Sequence, residues 1–163
     1  MKSADGLILS MIEGLRQDGR LAPKSVIEIP GFPYPTFEAL QQAVLSRKMH
    51  LQRFSFHYES DVFTLLASST ERFINNTYLM TMMISPVAAI VLGYLHSWWW
   101  LLAAVAGLIT GSKGMKRVYN RVILSSALGS ELEFCYLYFL GQVCLTTTDF
   151  RQSLYWKKSI GEA

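Results

Sequence analysis

Between Arg72 and Lys113 the sequence contains no Asp, Glu, Lys or Arg. These are 40 consecutive residues, 73–112, and His96 is the one side chain among them that titrates near neutrality. At about 1.5 Å per helical residue they extend about 60 Å. That length matches about two crossings of a hydrocarbon core about 30 Å thick, so one straight crossing would use only half of it.

Other absences narrow the function. There is no glycine-rich phosphate loop, no nucleophile elbow and no metalloprotease motif. With two cysteines, Cys135 and Cys144, nine positions apart, no metal-binding spacing exists, and both read as reduced, small apolar fillers. No cofactor and no enzymatic activity are therefore expected. A membrane enzyme built on His57 and a carboxylate such as Glu59 is the weakest alternative, because nothing fixes the geometry of His50 and His57. A net charge of +3 is too small to argue for nucleic acid. The first twenty residues include Asp5, Glu13, Arg16, Asp18 and Arg20, which does not fit the apolar run of a cleavable leader.

What is present is apolar. Hydrophobic residues make up 51% of the chain and charged residues 17%, below the roughly 25% of typical soluble domains. Within the uncharged window, His96-Ser97 is the most polar pair, and it divides the window into spans over about 76–95 and 98–112 with a bend at 96–97. Trp98, Trp99 and Trp100 follow the bend and Tyr94 precedes it. Indoles favour the membrane–water interface, where three of them fanning around a helix are all accommodated. The competing reading is a buried helical hairpin in a soluble protein. Ala103 and Gly107 form a small-xxx-small pair suited to close helix packing. Arg47, Lys48, Arg53 and Arg72 precede the window, and Lys113, Lys116, Arg117 and Arg121 follow it. The bend has no Lys or Arg, so the charge distribution places both termini in the cytoplasm. Lys113, Lys116, Arg117 and Arg121 recur at helical spacing and are candidate contacts for anionic lipid or another phosphate-bearing ligand, although orienting the protein would explain them alone.

The flanks read as soluble. Residues 1–20 predict an amphipathic helix with Leu7, Ile8, Met11, Ile12 and Leu15 along one stripe and Gly19 as its stop. SVIEI, 25–29, predicts a strand, and the prolines of PGFPYP, 30–35, a rigid connector. Thr36 is the expected N-cap of a helix over 36–49. LQRFSFHYE, 51–59, alternates as a half-buried strand, with Phe54, Phe56 and Tyr58 on one face, and is expected to pair with SVIEI. A helix capped at Ser60 or Asp61 is expected to run unbroken into the first span. GSKG, 111–114, predicts a break before a helix over 115–128. The apolar run 134–145 is too short to span and is expected as a helix packed on the N-terminal unit or lying at the membrane surface.

The expected protein is a mainly α membrane protein: a cytoplasmic α/β region over 1–72, a two-helix transmembrane hairpin over 73–112 and a cytoplasmic helical region over 113–163. The expected location is a bacterial inner membrane. The expected role is a non-enzymatic subunit of a larger membrane assembly of secretion, conjugation or envelope-complex type, with lipids and other membrane subunits, or copies of itself, as partners and no nucleic acid. The alternative is a self-oligomerising effector whose cytoplasmic part senses a ligand, such as a nucleotide, and perturbs the membrane.

Overall fold

Three of the helices end in the same way, and those ends set the architecture. The computed structural model describes residues 2–53, 60–95, 99–148 and 153–154. Among them are α1 (Lys2–Gln17), a 3₁₀ turn (Val26–Glu28), α2 (Phe37–Leu45), β1 (Met49–Arg53), α3 (Ser60–Leu66), α4 (Ser69–Leu95), α5 (Trp99–Gly129), α6 (Glu131–Phe139), β2 (Val143–Thr147) and β3 (Ser153–Leu154). The protein is mainly helical with a small antiparallel sheet. It divides into two units, Met1–Ser60 with Ile123–Ala163, and Asp61–Val122. The sequence boundaries expected at 72/73 and 112/113 fall inside α4 and α5.

In the first unit, α1, α2 and α6 each close with a paired 6→1 and 5→2 backbone motif that satisfies the last carbonyls. After α6 the Gln142 amide donates to the Leu137 carbonyl at 2.9 Å and the Gly141 amide to Tyr138 at 3.0 Å. Gly141 has φ +68° there, the left-handed conformation that glycine adopts without steric cost. The apolar run 134–145 is therefore not one helix. It is α6, a turn and β2, and Phe134, Cys135, Leu137, Val143 and Leu145 are all fully buried or nearly so. Cys135 and Cys144 consequently lie on different elements, and both are free and buried.

The sheet also departs from the sequence expectation. SVIEI forms a 3₁₀ turn, and its Val26 amide donates to the Glu131 carboxylate at 2.8 Å. β1 instead pairs antiparallel with β2, running from Met49 opposite Thr147 to Arg53 opposite Val143. β2 pairs in turn with β3 through Leu145–Leu154 and Thr146–Ser153. The partner of the N-terminal strand thus comes from the C-terminal region, a long-range pairing that no local pattern announces. The aromatic face at Phe54, Phe56 and Tyr58 lies outside the described residues.

The helices of this unit pack through buried apolar residues, and the helix cover expected over the aromatic face lies outside the described residues. Ile8 and Ile12, one turn apart on α1, are fully buried, as is Leu40 of α2. Thr36 caps α2, accepting from the Ala39 amide at 3.2 Å. The α2 helix stops at Leu45, four residues before the expected end, because Arg47 takes φ +58°. The connector places Phe32 against Phe134 and Tyr138, at ring-centroid distances of 5.8 and 5.7 Å. The Arg16–Glu28 ion pair, and Lys24–Glu13 at 3.1 Å, hold the chain after α1 against that helix.

In the second unit the helix expected to run unbroken from residue 61 is interrupted after Leu66. Ser68 starts a new helix with a reciprocal capping box. Its hydroxyl donates to the Glu71 carboxylate at 2.7 Å, and the Glu71 amide donates back to that hydroxyl at 3.3 Å. Arg72 reaches back to the carbonyls of Thr64 and Ala67 and closes the end of α3. α4 continues through Pro86, which removes one helical amide without ending the helix.

Candidate functional site

The second unit carries the uncharged window, and glycines of α5 set how closely its two long helices meet. A Cβ on Gly107 would lie 2.5 Å from the Ser85 side chain, and one on Gly111 2.9 Å from Met82 Cβ and the Tyr78 carbonyl. One on Gly114 would collide with the Tyr78 ring. Contacts that move back along α4 as α5 advances mean that the two helices run antiparallel. Gly107, Gly111 and Gly114 share a face at i, i+4 and i+7. Ala104 is buried one turn before Gly107, and Ala89 is buried on α4. Ala103, paired with Gly107 in the sequence reading, is exposed. The residues GSKG do not break the chain, since α5 is continuous across them. Their glycines are spent on close approach, and the signal was their spacing from Gly107.

Away from this seam the surface is apolar and open. One helix, Ser69–Tyr94, is long and apolar enough to cross a membrane, and within it only Asn75 and Ala89 are buried. Met83, Ile84, Val87 and Ile90 are each 58–66% exposed. α5 does not meet the same criterion, because its uncharged part within the described residues is the 14 residues 99–112, after which Lys113, Lys116 and Arg117 follow. Two membrane-crossing helices are therefore not established by length and composition. The hydroxyls of Thr77 and Thr81 donate to the carbonyls four residues earlier, at 3.0 and 2.9 Å, so neither needs water.

Tyr94 is 92% exposed at the end of α4, and Trp99 and Trp100 are 62% and 41% exposed at the start of α5. Trp98 and the expected bend at 96–97 lie outside the described residues. At the other end, Lys113, Lys116, Arg117 and Arg121 are all exposed. At 3.6 residues per turn Lys113 and Lys116 point to the side of α5 away from the glycine seam, Arg117 stands beside the seam, and Arg121, seven residues after Gly114, continues its face. None of the four takes part in an ion pair among the described residues. The base of this unit is packed: Phe63 of α3 stacks on Tyr119 of α5 at 5.6 Å, and both are buried.

The first unit offers little for nucleophilic chemistry among its described residues. Burial, with the charges of Glu131 and Glu28 behind it, pushes the Cys135 thiol up to about 12. Burial raises Cys144 as well, against a hydrogen bond from Thr146. Thiols so held stay protonated and weakly nucleophilic. His50 lies on β1 opposite Thr146, and His57 lies outside the described residues. Among the described residues no group of three or more His, Cys, Asp or Glu stands together. Comparison with known proteins finds no matching family model, no matching curated protein and no matching solved structure.

Proposed function

We propose that the chain is a non-enzymatic integral membrane subunit. The α4–α5 pair crosses the bilayer as a hairpin and the first unit lies in the cytoplasm, both termini included, at a bacterial inner membrane. The observation that carries this reading is the exposure of α4. A helix of this hydropathy inside a soluble protein would be covered by other elements, whereas only Asn75 and Ala89 of Ser69–Tyr94 are buried. Tyr94, Trp99 and Trp100 at one end and four unpaired cations at the other are the residue types that border a hydrocarbon layer.

On this reading the hairpin docks against membrane helices of a larger assembly, and the sheet-containing unit against a cytoplasmic partner. The break between α3 and α4 interrupts the helix expected to run from residue 61 into the first span, a link through which an effector would carry a signal from its cytoplasmic part. Solubilisation tests the two. Co-purification with larger membrane proteins supports the subunit reading, and a lone homo-oligomer in detergent supports a self-assembling effector. Recovery in the soluble fraction without detergent contradicts both.

A further inference from the structure

The helix seam fixes the level at which the basic residues stand. Gly114 lies against Tyr78, so Lys113 is level with Tyr78 and Leu79 on α4. On α5 the uncharged helix that precedes Lys113 is the 14 residues 99–112, Trp99 and Trp100 included, about 21 Å. On α4 uncharged residues continue past that level to Phe73, which is 73% exposed. The α4 flank therefore offers about 34 Å of uncharged helix over 73–95, while the α5 flank is about 9 Å shorter than an average hydrocarbon core. The first cations of α5 sit at a depth where acyl chains would still cover α4. Their side chains turn away from the seam, towards lipid, and none has an ion-pair partner among the described residues.

Resting on the membrane reading, we propose that the α5 flank is a binding surface for anionic phospholipid headgroups. Lys113 and Lys116 extend along the lipid towards the interface, as long cationic side chains do at helix ends. Phosphates are drawn down to meet them, with Arg117 and Arg121 above. Counter-charge missing within the protein is supplied by the leaflet, and the leaflet thins on that side.

The test is lipid selectivity of the full chain reconstituted in phosphatidylcholine vesicles, read by spin-labelled phosphatidylglycerol against spin-labelled phosphatidylcholine. Motionally restricted phosphatidylglycerol should exceed phosphatidylcholine about fivefold, the ratio equivalent to about 1 kcal/mol. The combined variant Lys113→Gln, Lys116→Gln, Arg117→Gln, Arg121→Gln should reduce the ratio to about one while still restricting lipid. Equal restriction of both lipids by the unaltered chain overturns the headgroup surface and leaves the hairpin standing. No restricted lipid of either kind overturns the membrane reading itself. Saturable submillimolar binding of inorganic phosphate by the detergent-solubilised chain, lost in the combined variant, identifies a soluble-phosphate site and overturns the proposal.

Discussion

Arg47 and Gly141 occupy the same left-handed position after a helix, and only one of them is a glycine. The conformation costs a non-glycine residue about 1 kcal/mol. Arg47→Gly should therefore stabilise the first unit by about that amount, and Gly141→Ala, whose added methyl meets open space, should destabilise it by about the same. The rate at which the buried thiols of Cys135 and Cys144 become reactive during denaturant titration reads both effects. Gln142 is 1% exposed, and among the described residues neither end of its side-chain amide has a hydrogen-bond partner. Gln142→Leu should gain about 1–3 kcal/mol by removing that desolvated group, with a loss of stability as the contradicting result. Glu133 is half-buried, and burial raises its carboxyl above the ordinary value, opposed by a hydrogen bond with Ser126 and assisted by the charge of Asp5. Because the folded form holds the proton more tightly, the contribution is favourable at low pH and is lost as pH rises through the raised value. Glu133→Gln should be stabilising at neutral pH and should flatten the pH dependence of unfolding between the ordinary carboxyl value and the raised one. At this scale the sequence was readable where one side chain acts locally. The Thr36 cap, and the Ser68-x-x-Glu71 box that went unused, are both plain in the residues, whereas the burial of Gln142 depends on distant strands.

The hairpin of α4 and α5 is the element that decides the biology, and its glycines carry a specific cost. Gly111→Leu or Gly114→Val should separate the helices, because the added atoms would meet the backbone or ring of Tyr78. Ala103→Leu, on the exposed side, should be tolerated. With Cys135 and Cys144 replaced by alanine, a cysteine at Ala89, buried on α4, should alkylate slowly in the parent chain and faster when Gly111→Leu is added; unchanged alkylation would show that the seam does not depend on close approach. Periodicity identified α1 and α2 because each buries one face, α1 against α6 and α2 through Phe37 against Phe134, and a helical stripe shows in the residues whatever element covers it. It failed where tertiary pairing overrode local preference. SVIEI has strand-forming residues but no strand beside it, and the Cys135–Cys144 run reads as one apolar helix until Gly141 turns it into a helix and a strand. GSKG misled because glycine serves both to end helices and to let them touch.

For the whole molecule, the two units have different surfaces. Among the described residues, the unit made of Met1–Ser60 and Ile123–Ala163 buries most of its large apolar residues, with Leu21, Ile27 and Leu45 the most exposed, while Asp61–Val122 leaves most of its own exposed. On that contrast the account places the second unit in lipid. The composition already carried this division in its 40-residue uncharged window, since removing charge is the one requirement of the bilayer that sequence alone expresses. It did not carry the discontinuous make-up of the first unit, which is closed by strand pairing between residues about a hundred positions apart. The most direct test of the transmembrane hairpin is accessibility on its two sides. With Cys135 and Cys144 replaced by alanine, single cysteines are introduced at Ser97 and, separately, at Ser3 and Ser159, and intact cells are treated with a membrane-impermeant thiol reagent. The account predicts labelling at Ser97 and protection at Ser3 and Ser159 until the membrane is permeabilised. Protection at Ser97 together with labelling at either terminal position would contradict it.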